Sequence, residues 1–467
     1  MISALAGVAE KAPQFSGPAR AHGKHAMVSA KSILKLKATT LRGLEDVLVQ
    51  ELQTLGAKNV DKQHGAVLFS GDFELMYRCC YRLRTAVRVL LQLASTRIAD
   101  QKDLYDLGRS VSWNELFAVN KTIAVDSAVH SRIFSNSHYA ALKLKDAVCD
   151  EFRSKTGKRP DVSLKEADIR IHLHIHEQDC TISLDAAGGS LHRRGYRVRA
   201  DIAPLSEVLA AGMVLLAEPD PEKPFYDFMC GSGTLPIEAF MIRYDLPCGV
   251  FREVHAFENW RNYFEKTHRT VRQQEKGRWT EFLKKSFSQS GSDIPDNPPA
   301  PLTDATGTGN EQSEATDQPV TEEKIVVADS QEGRLSAPGQ SPLFRGSDRS
   351  WKAMEIAKSN RKAMGLTSSH ILFETRDAFS DAFSIAEPGA GGTAIINPPY
   401  GERMSLEDAA AFYKELGDTM KRSFKGWSVW VLSSNKEAMK RIGLKPSKKL
   451  TLYNGPLECT YRRYDMY

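Results

Sequence analysis

"KPFYDFMCGSGTLPIEAFMIRY", Lys223–Tyr244, decides the fold. A short apolar run ends in Asp227. Two glycines, Gly231 and Gly233, follow, and an apolar helical pattern then starts at Thr234. That order predicts a strand, a tight turn and a helix. The glycines let the backbone approach a ligand closely, and the helix N-terminus offers free N–H groups. The spacing fits neither GxGxxG nor GxxxxGKS, so a P-loop is excluded.

Downstream, the same rhythm repeats. "LFRGSDRSWKAMEIAKSNRKAMGL" predicts a strand, an acidic turn at Asp348 and a helix. "ILFETRDAF" predicts a strand ending in Asp377 and Ala378, and "GTAIINPPY" a strand ending in Asn397, Pro398, Pro399 and Tyr400. A helix over Leu406–Phe424 and the strands "WSVWVLSS", "LTLYNG" and "CTYRRY" close the chain. Strands alternating with helices indicate a doubly wound α/β sheet, in which ligands bind along the carboxyl edge of the strands. Four successive strand ends here carry a Gly-rich turn, an acid, an acid and NPPY. The first acid suits a ribose diol and the second an adenine amino group.

The N-terminal half is α+β. "SILKLKATTLRGLEDVLVQELQTLGAK" from Ser32 predicts a strand and a helix stopped by Gly56; "GAVLFSGD" and "FELMYRCCYRLRTAVRVLLQL" add a strand, a helix and a strand. Thr122–Leu191 repeats the theme. "DIRIHLHIH" alternates strictly, with Ile169, Ile171, Leu173 and Ile175 on one face and Arg170, His172, His174 and His176 on the other. Residues two apart on a strand are roughly 6.5 Å apart and the outer histidines about 13 Å. One ion cannot take all three, so a solvent face of a hairpin is expected and no metal.

A net charge of +5 permits an anionic partner without demanding one. Cations cluster locally at Arg132, Lys143, Lys145, Arg153, Lys155, Lys158 and Arg159, and again at Arg193, Arg194, Arg197 and Arg199. Such groups pair with phosphates. Seven cysteines without a CxxC argue against a disulfide framework or a zinc ribbon and for a reducing interior. No apolar run is long enough to span a bilayer. Residues 1–30 read as a tail with one acid, Glu10; alternatives are a transit peptide to an organelle or a start at Met27. Ser286–Pro342 is rich in Ser, Gly, Asp, Pro and Thr and is expected to be a disordered insertion, with "KIVVADS" its one strand-like stretch.

The order DxxCGSGT, GSD, D, NPPY resembles the class I S-adenosylmethionine-dependent amino-methyltransferases. "HYAALKLKDAV", "LDAAGGSLHRRGYRVRADIAPLSEVLAA", "CGSGTLPIEA", "NPPYGERM" and "NGPLEC" narrow this. They resemble the bacterial THUMP-domain large-subunit (23S) rRNA guanine-N2 methyltransferases, specifically the enzyme that is often the N-terminal half of a fused protein. The resemblance runs from about Ser32 to the C-terminus, outside the insertion, and the second enzyme half is expected to be absent. Phe228 after Asp227 and Arg349 after Asp348 depart from the family pattern.

The implied fold is a ferredoxin-like/THUMP α+β region followed by a Rossmann-like class I methyltransferase domain. The expected boundaries are 31–95 for the ferredoxin-like part, 96–191 for the THUMP RNA-binding domain and 192–467 for the methyltransferase domain. The implied cofactor is S-adenosylmethionine, held by Asp227, Cys230, Gly231, Gly233, Thr234, Asp348, Asp377, Ala378 and Asn397. Asn397, Pro398, Pro399 and Tyr400 would carry catalysis. Glu402 and Arg403 either brace that loop or touch substrate. RNA would be held by Arg132, Lys143, Lys145, Arg159, Arg193 and Arg194. The expected partner is large-subunit rRNA with tRNA as the alternative, without membrane or metal, in the cytoplasm. Guanine methylation in tRNA, adenine-N6 methylation in DNA and a non-catalytic assembly role are the competing functions.

Overall fold

The structure, a computed structural model, describes residues 29–198, 205–290, 343–385, 391–399 and 406–467. They form two compact units. One comprises Ala30–Leu91, Asp185–Glu258 and Tyr263–Tyr467; the other comprises Gln92–Leu184 and Asn259–Asn262.

The larger unit begins with β1 (Leu34–Thr40), α1 (Glu45–Thr54), β2 (Lys58–Gln63), β3 (Ala66–Gly71), α2 (Phe73–Arg82) and the start of β4 (Ala86–Arg97). The sheet order is β2-β3-β1-β4, with β1 antiparallel to both β3 and β4. This is the ferredoxin-like βαββαβ arrangement. Asp72 caps α2 by accepting from the Leu75 N–H, which satisfies one of the free donors at a helix start.

The smaller unit holds α3 (Gln101–Ser110), α4 (Trp113–Leu116), β5 (Ile123–His130), α5 (Ser137–Thr156), β6 (Ile169–His176) and β7 (Asp179–Asp185). Asn136 caps α5, and Gly157 ends it at φ +73. β6 lies between β5, to which it is parallel, and β7, to which it is antiparallel. The HxHxH stretch is therefore one arm of the β6–β7 hairpin, with β5 paired along its other side. Its isoleucines and Leu173 are buried, while His172 and His174 are half-buried.

The larger unit resumes with α6 (Glu207–Ala217), β8 (Phe225–Asp227), α7 (Thr234–Arg243), α8 (Glu265–Ser290), β9 (Phe344–Asp348), α9 (Trp351–Ala363) and β10 (Ile371–Thr375). Then come β11 (Gly392–Ile396), α10 (Leu406–Ser423), β12 (Trp427–Ser433), β13 (Lys448–Asn454) and β14 (Leu457–Asp465). The sheet order is β10-β9-β8-β11-β12-β14-β13. β10, β9, β8, β11 and β12 pair in parallel, and β14 is antiparallel to both of its neighbours. The chain moves outward from β8 through β9 to β10, then returns to place β11 on the other side of β8. That reversal opens a crevice at the carboxyl ends of β8 and β11. Beside it lies a core of Tyr226, Phe228, Phe383, Ile396, Tyr413 and Phe424.

β2 (Lys58–Gln63) is a strand that the sequence reading did not include, and Ala30–Leu91 belong to the same compact unit as the methyltransferase sheet. Buried groups explain this. The Arg84 guanidinium donates to the carbonyls of Met241 and Leu246 at 3.1 and 2.7 Å. A Cβ at Gly212 would sit 2.5 Å from the Leu44 methyl groups, so glycine lets α6 pack close against Leu44. A second correction concerns the insertion. α8 continues through Ser286 to Ser290, because buried Phe287 packs against His370 and the Ser286 hydroxyl bonds its Nε2 at 3.1 Å. Residues 1–28 and 291–342, including "KIVVADS", lie outside the described residues. Among the described residues no helix is long and apolar enough to cross a membrane. The seven cysteines are buried and unpaired with one another.

Two buried histidines make stability depend on pH. Burial pushes His268 and His370 each down to about 4. Unfolded imidazoles titrate near 6.5, so between these values the unfolded chain binds protons that the folded chain does not. Their contribution is complete above about 6.5 and is lost as pH falls toward 4. Urea midpoints should decline from pH 7 to pH 5, and His370→Gln should flatten that decline. An equally steep decline in the variant contradicts the assignment.

Candidate active site

The carboxyl edge around the crevice forms a cavity of about 640 Å³, within the size range of small-ligand sites. Asp227, Cys230, Gly231, Thr234, Asp348, Asp377, Ala378, Asn397, Pro398 and Pro399 all line it. Four strand ends that are far apart in sequence thus meet in one place.

The turn after β8 owes its shape to its glycines. Gly231 has φ +51, and a Cβ there would meet nothing within 4 Å, so its backbone faces open space in the cavity. Gly233 has φ +82 and a different role. A Cβ on it would lie 2.7 Å from the Phe373 ring and 3.1 Å from Ala357. Gly233 does not line the cavity; it lets α7 start tight against the neighbouring strand and helix.

The acids are held by main-chain donors. Met229 N–H donates to Asp227 Oδ1 at 3.0 Å, and Phe379 N–H donates to Asp377 Oδ1 at 3.0 Å. Asp348 accepts from Gly231 N–H at 3.1 Å and from Ser350 N–H at 3.0 Å, so it ties the Gly-rich turn to the end of β9. Burial, with the charge of Asp348 adding, pushes the Asp227 carboxyl well above the usual carboxylate range. Burial also pushes the Cys230 thiol up, with Asp227 and Asp348 adding. That thiol is therefore an uncharged wall and a poor nucleophile.

Asn397 ends β11, where Ile396 pairs with Val431 of β12. Its side-chain Oδ1 is buried and has no hydrogen-bond partner among the described residues. An orphaned acceptor of this kind costs about 1–3 kcal/mol, and the residue that carries it lines the cavity. This is the observation that tests whether the residues fit a ligand bearing an N–H, and they do. Tyr400, Glu402 and Arg403 lie outside the described residues.

Several cavity residues went unread in the sequence. Leu205, Met229, Arg376, Phe379, Asp408, Phe412, Asn454 and Leu457 also line it, as does Arg349, noted above as a departure from the family pattern. Phe379 and Phe412 meet edge to face, with centroids 5.1 Å apart. Phe379 follows Asp377 by two positions, and Asn454 and Leu457 belong to "NGPLEC", so those signals were in view. Phe412 needed the position of α10 over the edge, which spacing alone does not give.

The proposed RNA contacts divide. Arg132, Arg159 and Arg193 are exposed. Lys143 is half-buried, its ammonium 5.3 Å from the centre of the Tyr105 ring, and half-buried Lys145 pairs with Asp146 at 2.6 Å. Arg194 must be corrected. It is 2% exposed, donates to the carbonyls of Leu83, Arg84 and Leu191, and faces Glu238 at 3.5 Å. Its donors are consumed by the interior, so it cannot reach a phosphate. Arg197 is similarly committed, to Glu207 at 2.9 Å and to the Thr234 hydroxyl at 3.0 Å, beneath the Gly-rich turn. Arg199 lies outside the described residues. The described residues also bring His255, Glu258 and His268 together, with ligand-capable atoms within 4.8 Å. Both ring nitrogens of His268 are engaged by the hydroxyls of Tyr81 and Tyr263, at 2.9 and 2.8 Å. None of the three lines the cavity.

Three families match successive parts of the chain. Residues 194–463 match the family described as "RMKL-like, methyltransferase domain", residues 99–185 the THUMP domain and residues 35–90 the RlmL ferredoxin-like domain. A Synechocystis sp. protein, slr0064, whose name proposes an RNA methyltransferase, is 32% identical over 92% of this chain and 96% of its own length. The ribosomal RNA large subunit methyltransferase K/L of Syntrophotalea carbinolica is 33% identical over 93% of this chain, which spans 54% of that longer protein. In fold, the chain is similar to the crystal structure of SMU.472, a methyltransferase complexed with SAH, with a TM-score of 0.69 and 23% identity over 94% of this chain and 99% of that one.

The contrast between the two glycines is testable. Gly233→Ala combines a positive φ with overpacking and should cost about 1–3 kcal/mol of stability in urea unfolding. A midpoint unchanged from the parent protein contradicts the packing assigned to Gly233.

Proposed function

The chain belongs to the RMKL-like methyltransferase family, and from that premise we propose that it methylates the exocyclic N2 amino group of a guanine in large-subunit (23S) rRNA. The family is S-adenosylmethionine-dependent, and that cofactor, when bound, supplies a sulfonium methyl that is already electrophilic. The single observation carrying the reading is the orphaned Asn397 Oδ1 at the cavity edge beside the Gly-rich turn.

The chain's own task is aim. The lone pair of a guanine amino group is delocalised into the ring, so the nitrogen is a weak nucleophile until it becomes pyramidal. Asn397 Oδ1 accepts one N–H and the Pro398 carbonyl accepts the other. Two acceptors held in this way favour a pyramidal nitrogen whose lone pair points along the crevice toward the Gly-rich turn. Proline restricts the turn and offers no competing N–H. Tyr400, next along the chain, offers a π-face to a base taken out of its stack. Asp348 takes the ribose hydroxyls and Asp377 the adenine amino group of the cofactor. Gly231 lets the backbone approach closely, and Asp227, Cys230, Thr234 and Ala378 complete the walls.

RNA as the substrate is supported by the THUMP match and by the name of the Syntrophotalea relative. Arg132, Lys143, Lys145, Arg159 and Arg193 are the proposed phosphate contacts.

The test is transfer of labelled methyl onto large-subunit rRNA, tRNA and DNA from a deletion strain, with nucleoside mass spectrometry. N2-methylguanosine in rRNA is expected; N6-methyladenine in DNA would falsify the reading. Asn397→Ala should lower transfer about 10²–10³-fold, with cofactor affinity changed by no more than a few-fold. Asp348→Ala should instead abolish cofactor binding in calorimetry. Equal loss of cofactor binding in both variants contradicts the roles given. A parent protein that binds no S-adenosylmethionine favours the non-catalytic assembly role.

A further inference from the structure

We propose that Asn454, at the tip of the β13–β14 hairpin, reads the base edge beside the reacting amino group and selects guanine. The inference rests on the function proposed above and adds the residue that sets base identity.

Topology puts the hairpin tip at the site. β14 is antiparallel to β12 and β13 is antiparallel to β14, so β13 runs the same way as the parallel strands. Its last residue therefore ends on the same carboxyl edge as Asp227, Asp348 and Asn397. Asn454 pairs directly with Leu457 across a two-residue turn, Gly455-Pro456. Gly455 has φ +61 and Pro456 has a fixed negative φ, which is the type II′ pattern that matches the twist of its strands. The tip is thus short and stiff, and both Asn454 and Leu457 line the cavity.

The order of strands divides the cavity. The Gly-rich turn, Asp348 and Asp377 sit at the ends of β8, β9 and β10, on one side of Asn397. Asn454 and Leu457 sit on the other side, beyond β12. β13 is three strands from β11, about 14 Å at the usual spacing. Two asparagine side chains, each reaching about 4 Å from its backbone with a hydrogen bond of about 2.9 Å beyond, can converge on one base edge across that distance.

The chemistry at the far side then discriminates. Guanine carries N1–H and O6 next to its N2 amino group. A carboxamide is their complement, with Oδ1 accepting from N1–H and Nδ2 donating to O6. Adenine offered by its N6 amino group presents N1, an acceptor, and a C–H. Only Nδ2 then finds a partner. A matched bidentate pair of this kind discriminates about 5- to 150-fold.

2-Aminopurine isolates the interaction, because it keeps the reacting amino group and lacks both N1–H and O6. RNA is made with guanine or 2-aminopurine at the position that the full-length parent enzyme methylates. The parent enzyme should prefer guanine about 5- to 150-fold in kcat/KM. Asn454→Ala should slow guanine to near the 2-aminopurine rate, with the 2-aminopurine rate, the cofactor affinity and the melting temperature unchanged. Asn454→Asp keeps the shape but cannot donate to O6, and it should lose the preference as well. A guanine preference intact in both variants overturns the proposal and leaves the proposed function standing. A parent enzyme that methylates no guanine overturns both.

Discussion

The site depends on one constraint, the return of the chain that sets β11 beside β8. In a parallel sheet the strands on either side of such a reversal send their following segments to opposite faces. The edge between them is left open. Here the open edge falls between the Gly-rich turn and NPPY. The turn can offer main-chain N–H groups only because α7 starts there, and Asn397 can offer an acceptor only because β11 stops there. Had β11 been added beyond β10, the same residues would lie about three strand spacings, or roughly 15 Å, apart. One methyl transfer could not then connect them.

That edge is braced from beneath by charges taken into the interior. Arg194 and Glu238 face each other, Arg84 reaches carbonyls around the end of α7, and Tyr196 donates to Glu238 at 3.2 Å. Buried ions are costly unless their hydrogen bonds are satisfied, and Arg194 meets this with three main-chain carbonyls. Arg197 performs a related task nearer the site, joining Glu207 to the Thr234 hydroxyl. The segment "LHRRGYRVR" therefore works chiefly as internal scaffolding for the Gly-rich turn. Only Arg193 within its described part is an exposed cation.

This explains what was legible in the sequence. Strand ends were readable because apolar runs, glycines and acids follow one another in a local order, and local order is what periodicity reports. The four named strand ends do meet. Arg194 was misread because an arginine looks the same in sequence whether it faces solvent or carbonyl oxygens; the carbonyls come from Leu83 and Arg84, more than a hundred positions away. The end of α8 was misread for a similar reason. Ser286–Ser290 has the composition of a linker, and the contacts of Ser286 and Phe287 with His370, distant in sequence, accompany its helix. Asn454 and Leu457 lie in the motif "NGPLEC", which was visible, whereas Phe412 reaches the cavity through the placement of α10, which no local pattern encodes.

The charge of the cavity bears on where acceleration would arise in the proposed function. Asp348, Asp377 and Asp408 line it, while Asp227 is pushed toward its neutral form by burial. Carboxylates favour a cationic methyl donor before transfer over the uncharged thioether left after it. Their attraction therefore weakens as the positive charge leaves the sulfur, so it contributes to binding more than to rate. Acceleration has to come from groups whose interaction grows as the methyl moves. In the function proposed above, the acceptor nitrogen gains positive character, its N–H bonds become stronger donors, and acceptors at Asn397 and Pro398 would respond to that change. An oxygen left without a partner among the described residues is what such a site requires, since a prior hydrogen bond would have to break before the amino group could be held.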